Sequence, residues 1–156
     1  MHPLRSFAQR FGSRPWFIRM VRLIVPIDGV LQKATGARFG LTEVAGIDGL
    51  VLTTIGRRSG EPRSVTLIYA ERAGSYVVAG SNWGGQRHPA WSANLLAEPQ
   101  ATVSVHGRTE KVKARLVTGA ERERCWALLL EHWPAYATYQ DRIDRTIRVF
   151  VLEPVR

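Results

Sequence analysis

Three runs of β-forming residues, GLVLTTI (49–55), SVTLIYAE (64–71) and SYVVAGS (75–81), are separated by joints too short to hold a crossover helix. Val, Ile, Thr and Tyr dominate the runs, while GRRSGEP and RAG supply the turn residues between them. Short joints return the chain beside itself, so this segment is an antiparallel meander. A second alternating pair, ATVSVHG and RTEKVKARLVT, folds back around His106-Gly107-Arg108, and TIRVFVLEP gives a last strand ended by Pro154. HPAWSANLLAEP reads as a short helix, with Pro89 at its first position, Pro99 beyond its end, and Leu95 and Leu96 beneath Trp91. Thr118 with Glu121 forms a capping-box signature for a helix through Trp133, whose apolar stripe is Trp126, Leu129 and Leu130. Pro134 breaks that helix, and AYATYQDRI is a further short one. About six strands in two antiparallel groups, with helices inserted and no regular strand–helix alternation, give an α+β class. The architecture expected is a small closed or split β-barrel with flanking helices.

A chain of 156 residues that is 45% hydrophobic can bury one core and not two. We place the barrel domain at residues 47–156 and an N-terminal helix and connector at residues 1–46. Residues 1–27 carry Arg5, Arg10, Arg14, Arg19 and Arg22 with no acid before Asp28, and put Phe17, Met20, Val21 and Ile24 on one helical face. Such a basic amphipathic helix either lies on an anionic membrane surface or packs its stripe on the domain. Residues 26–46 are punctuated by Asp28-Gly29, Thr35-Gly36 and Gly40. No secretory signal is visible, and no apolar run reaches the ~20 residues of a membrane-spanning helix. The expected location is cytoplasmic, with peripheral attachment at the inner face of the cell membrane if the helix meets lipid.

Several chemistries have no support. The single cysteine, Cys125, excludes a disulfide framework, and its setting beside Trp126 and Leu128 suits a buried thiol rather than a nucleophile. His2, His88, His106 and His132 are scattered without zinc-ligand spacing, so no metal is expected. Neither a G-x-S-x-G elbow, a Walker loop nor a G-x-G-x-x-G fingerprint is present. The formal charge is +9, with only Lys33, Lys111 and Lys113 as lysines. Aromatics interleave with arginines only within residues 1–22, so no nucleic-acid partner is expected. Nothing in the pattern fixes an oligomeric state.

The turn GRRSGEPR remains. In a hairpin Arg57 and Arg58 sit at the tip and Arg63 begins the returning strand. Three guanidiniums, the Ser59 hydroxyl and glycine amides then converge on one place, which suits an anion such as phosphate.

TTIGRRSGEPRS, followed by YVVAGSNWGGQRHPAWSANLLAEP and later by WPAYATYQDRIDRTIRVFVLEP, resembles the deazaflavin-dependent nitroreductase and quinone reductase family. The resemblance covers roughly residues 47–154. It implies a split β-barrel that uses coenzyme F420, with hydride passing from the reduced deazaflavin to a small acceptor such as a quinone or nitroaromatic compound. It implies further that Arg57, Arg58, Ser59 and Arg63 grip the phosphate and acidic tail. Ser64, Val65, Thr66, Leu67 and Ile68, together with Ala79, Gly80, Ser81 and Asn82, would line the deazaflavin, and Ala90, Trp91, Ser92, Ala93 and Asn94 would close over it. Trp133, Tyr136 and Tyr139 match an aromatic trio that faces ring and substrate, with Tyr136 and Tyr139 as the catalytic candidates. Two positions depart from the pattern: Asn82 stands where members often carry Lys, and Trp133 where they often carry Tyr. FMN, whose single phosphate could use the same arginines, is the alternative cofactor. A non-enzymatic basic module on an anionic membrane is the alternative outside enzymology.

Overall fold

The computed structural model describes residues 49–156. The expected N-terminal amphipathic helix, its membrane role and the boundary between residues 46 and 47 lie outside the described residues. The chain forms β1 (Gly49–Ile55), β2 (Pro62–Arg72), β3 (Ser75–Ala79), a 3-10 turn (Asn82–Gly84), α1 (Ala90–Ala97), β4 (Gln100–Val105), β5 (Arg108–Leu116), α2 (Gly119–His132), α3 (Ala135–Asp141) and β6 (Val149–Pro154). The strands close a barrel in the order β1-β2-β3-β6-β5-β4, and every neighbouring pair is antiparallel. The expected α+β antiparallel barrel with flanking helices is the fold observed. Among the described residues no helix is long and apolar enough to cross a membrane.

Period-two alternation sorts the core into two clusters. Leu50, Leu52, Val78, Val103, Val112, Phe150 and Leu152 point into the barrel, where Trp91 and Leu95 of α1 join them. Val77, Val149 and Val151, the outward neighbours in β3 and β6, are covered by Cys125, Leu129, Trp133, Tyr136 and Tyr139 of the α2 and α3 region. One face of the barrel wall therefore carries the helices, and α1 packs against the interior cluster.

Four details differ from expectation. Leu96 is 49% exposed, because one helical turn from Trp91 reaches Leu95 and not its neighbour. The third strand stops at Ala79, since Gly80 and Ser81 bend into the turn that follows. Pro89 stands just before α1 as its N-cap residue, with extended ψ, rather than inside the first turn. Thr118 is the N-cap of α2 but makes no side-chain capping bond. Its expected capping-box partner, Glu121, is taken by Arg115, at 2.7 Å and 3.0 Å, and by Arg72 at 3.4 Å.

Candidate functional site

The turn between β1 and β2 is closed by two backbone bonds, from Gly56 N–H to the Glu61 carbonyl at 2.8 Å and from Gly60 N–H to the Gly56 carbonyl at 2.7 Å. Ser59 Oγ accepts from the Glu61 amide at 3.2 Å. Gly60 has φ 71°, where a side chain is strained. Gly56 is required for a different reason: a Cβ there would lie 2.5 Å from Ser59 Oγ and 3.2 Å from the Glu61 carbonyl. The GRRSG sequence thus dictates a tight loop that turns its arginine side chains outward.

Asn94 fastens this loop to α1. Its Oδ1 accepts from the Arg57 amide at 3.1 Å, and its Nδ2 donates to Thr54 Oγ1 at 3.1 Å. Thr54 is fully buried and Asn94 5% exposed, so the bond between them is shielded from water, while the one from the Arg57 amide is half-shielded. Between the turn, the start of β2 and α1 lies a groove of about 480 Å³. Arg57, Arg58 and Arg63 stand on its rim with Ser59 and Ser64, while Val65, Trp91 and Ala90 supply apolar wall. None of the three guanidiniums is engaged in an ion pair or hydrogen bond among the described residues. Ser64 Oγ is within hydrogen-bond distance of Thr53 Oγ1, at 2.9 Å.

The structure thus brings Arg57, Arg58, Ser59, Arg63, Ser64, Val65, Ala90, Trp91 and Asn94 to one groove. Thr66, Leu67 and Ile68 continue along β2 away from its lining, and Ala93 sits half-buried on α1. Ser92 is buried, donating to the Pro89 carbonyl at 2.9 Å and accepting from Arg148 at 3.3 Å.

Ala79, Gly80, Ser81 and Asn82 belong to a neighbouring loop, residues 80–89, and the strand end that feeds it. Asn82 and Trp83 both have left-handed backbones, with φ 47° and 53°. The Asn82 side chain donates to the Arg87 carbonyl at 3.0 Å. From the far side, Arg145 reaches the carbonyls of Gly80 (3.0 Å), Ser81 (2.9 Å) and Gly85 (2.9 and 3.1 Å).

Trp133, Tyr136 and Tyr139 are brought together, but in the helix-covered cluster and not on the groove wall; all are at most 4% exposed. Tyr136 and Tyr139 meet edge to face at 6.1 Å, and Trp83 packs on Tyr139 at 6.3 Å, linking the 80–89 loop to the trio. Burial, with Tyr139 beside it, holds the Tyr136 phenol well above its ordinary range. Burial pushes Tyr139 up to about 12, opposed by the neighbouring Trp133 indole and the Arg142 charge. Both phenols are protonated donors at neutral pH.

Two contributors escape sequence reasoning. Thr54 leaves a faint signal, as the one polar residue in the inward series Leu50, Leu52, Thr54 of β1. Arg145 leaves none, because its partners are backbone carbonyls about sixty residues away. Among the described residues no group of His, Cys, Asp and Glu could hold a metal ion.

The family model of the F420H(2)-dependent quinone reductases matches residues 27–154. An F420H(2)-dependent quinone reductase of Mycobacterium tuberculosis is 29% identical over 141 residues, covering 88% of this chain and 95% of its own. A solved F420-H2 dependent reductase is 37% identical with a TM-score of 0.64, covering 68% of this chain and 94% of that one. A heme binding protein of Mycobacterium smegmatis, at 22% identity and TM-score 0.55, covers 71% of this chain and 48% of that one and shares the fold alone. With more than half of its length matched by that family model, the chain belongs to the F420H(2)-dependent quinone reductase family.

Proposed function

We propose that this protein reduces a quinone-class acceptor with reduced coenzyme F420, holding the coenzyme's anionic tail in the groove beneath the arginine turn. The observation that carries the reading is the rim of three uncommitted guanidiniums, Arg57, Arg58 and Arg63, above an apolar wall of Val65 and Trp91. A cation fork facing solvent beside a half-apolar groove suits a molecule with a phosphate-bearing tail and a flat ring. Family membership selects F420 over FMN as that molecule.

When bound, the reduced deazaflavin supplies the hydride. The chain's own part is binding, orientation and exclusion of water. Arg57, Arg58 and Arg63 neutralise the tail; the Gly56 and Gly60 amides are already spent inside the turn, so the guanidiniums and not the glycine N–H groups carry this role. Ser64 to Ile68 and Ala79 to Asn82 give the edges for the ring. Trp83 connects that loop to Tyr139, and the acceptor is assigned to the side of the 80–89 loop, with buried Trp133, Tyr136 and Tyr139 backing that loop rather than touching the acceptor. Residues 1–27 are assigned to an anionic membrane surface, where a lipid-soluble quinone would be met.

The test is to mix the purified protein with reduced F420 and menadione and follow reduced coenzyme. Consumption that needs both protein and menadione is expected; no loss above the protein-free rate contradicts the reading.

A further inference from the structure

Half-buried Arg145 aims its whole guanidinium at acceptors of one loop. Its Nε and Nη2 both donate to the Gly85 carbonyl, Nη2 also to Ser81, and Nη1 to Gly80 and to Nδ1 of His88 at 3.2 Å. These acceptors all lie in the loop of residues 80–89, so a single planar fork gathers its two ends. The loop is costly to hold, for Asn82 and Trp83 are consecutive non-glycine residues in the left-handed region. Such conformers persist where surroundings over-determine them; here the Asn82–Arg87 and Gly85–Asn82 bonds and the Trp83–Tyr139 contact act from within, and Arg145 bonds the flanking carbonyls of Gly80, Ser81 and Gly85. Gly80 is held as well from the same segment, its amide donating to the Arg148 carbonyl at 2.8 Å.

A guanidinium has donors only, so His88 must accept through Nδ1 and carry its proton on Nε2. The contact therefore exists only while His88 is neutral. The charged groups acting on His88 are Arg145 and Arg148, both cationic; burial first, then these charges, hold its pKa below the ordinary 6.5. A proton added to His88 removes the lone pair and sets a third positive charge against the two arginines.

We propose that Arg145 is a positioning residue for coenzyme binding, holding the 80–89 loop in its ring-facing shape through a neutral His88. The inference rests on the F420 reading above and adds to it a residue and a proton linkage. Coenzyme affinity is fully present at neutral pH and falls as pH drops through the lowered pKa of His88.

The test is fluorescence titration with F420 between about pH 5 and 8 for wild type, Arg145→Gln, Arg145→Lys and His88→Gln, the span in which histidine titrates. Gln at position 88 keeps an acceptor for Arg145 and cannot be protonated. Taking the ratio of wild-type Kd to His88→Gln Kd cancels any titration of the coenzyme itself. The expected result is that this ratio rises several-fold on acidification, that Arg145→Gln binds about tenfold or more weakly at pH 8, as for the loss of a charged hydrogen bond, and that Lys restores part of it. Superimposed wild-type and His88→Gln profiles overturn the linkage, and unchanged affinity in Arg145→Gln overturns the positioning role. If Arg145→Gln does not fold, the His88→Gln comparison decides alone. Wild type that fails to bind F420 at any pH contradicts the coenzyme reading itself.

Discussion

Asn94 shows how much one side chain settles in this protein. It ties the Thr54 hydroxyl inside the barrel to the Arg57 amide in the turn, so the position of the arginine rim depends on a helix residue. Asn94→Ala strands a buried hydroxyl and a backbone N–H, at a cost of about 1–3 kcal/mol in unfolding free energy. Denaturant unfolding should register that loss, and F420 titration should show weaker binding with Arg57, Arg58 and Arg63 all still present. Unfolding stability equal to wild type would refute the anchoring role. At this scale the sequence is half legible. Arg57, Arg58 and Arg63 are readable because spacing in a hairpin fixes where they point. Asn94 is readable as a groove residue but not as an anchor, since its partners are set by how α1 meets β1. Arg145 is not readable at all, because backbone carbonyls carry no residue signature.

The strands are the most legible elements, because alternation is a period of two that burial on both faces enforces. Val77 and Val78, or Phe150 and Val151, go to opposite sides of the wall as their order requires. Helix edges are less legible, since competing partners decide them. Glu121 has the right spacing for a capping box and instead joins Arg115, with Glu153 on β6 completing the cluster at 3.0 Å. That cluster ties the start of α2 to β5 and β6, and its pH dependence has a definite sign. The Arg115 hydrogen bond holds the Glu121 carboxyl below its ordinary 4.5, so the stabilisation is present above that pH and is lost as pH falls from there through the lowered folded-state value. The denaturation midpoint should drop across that acid window in wild type and drop less in Glu121→Gln. Identical acid profiles would show that the ion pair contributes nothing, as many exposed pairs do.

The whole molecule is a closed barrel with one covered wall, and its functional features lie where loops meet that wall. The arginine turn, α1 and the opening of β2 form a groove; the 80–89 loop and its Arg145 pin stand beside it; the aromatic trio lies behind, joined through Trp83. The net charge of +9 favours the approach of a polyanionic coenzyme, and three guanidiniums without partners in the described residues give it a place to stop. The most direct measurement is equilibrium titration with F420 and with FMN, in wild type and in Arg58→Ala. Wild type is expected to bind F420 more tightly than FMN, and Arg58→Ala to lose about tenfold or more of its F420 affinity, as when a charged hydrogen bond is removed. Equal F420 affinity in Arg58→Ala and wild type would contradict that expectation.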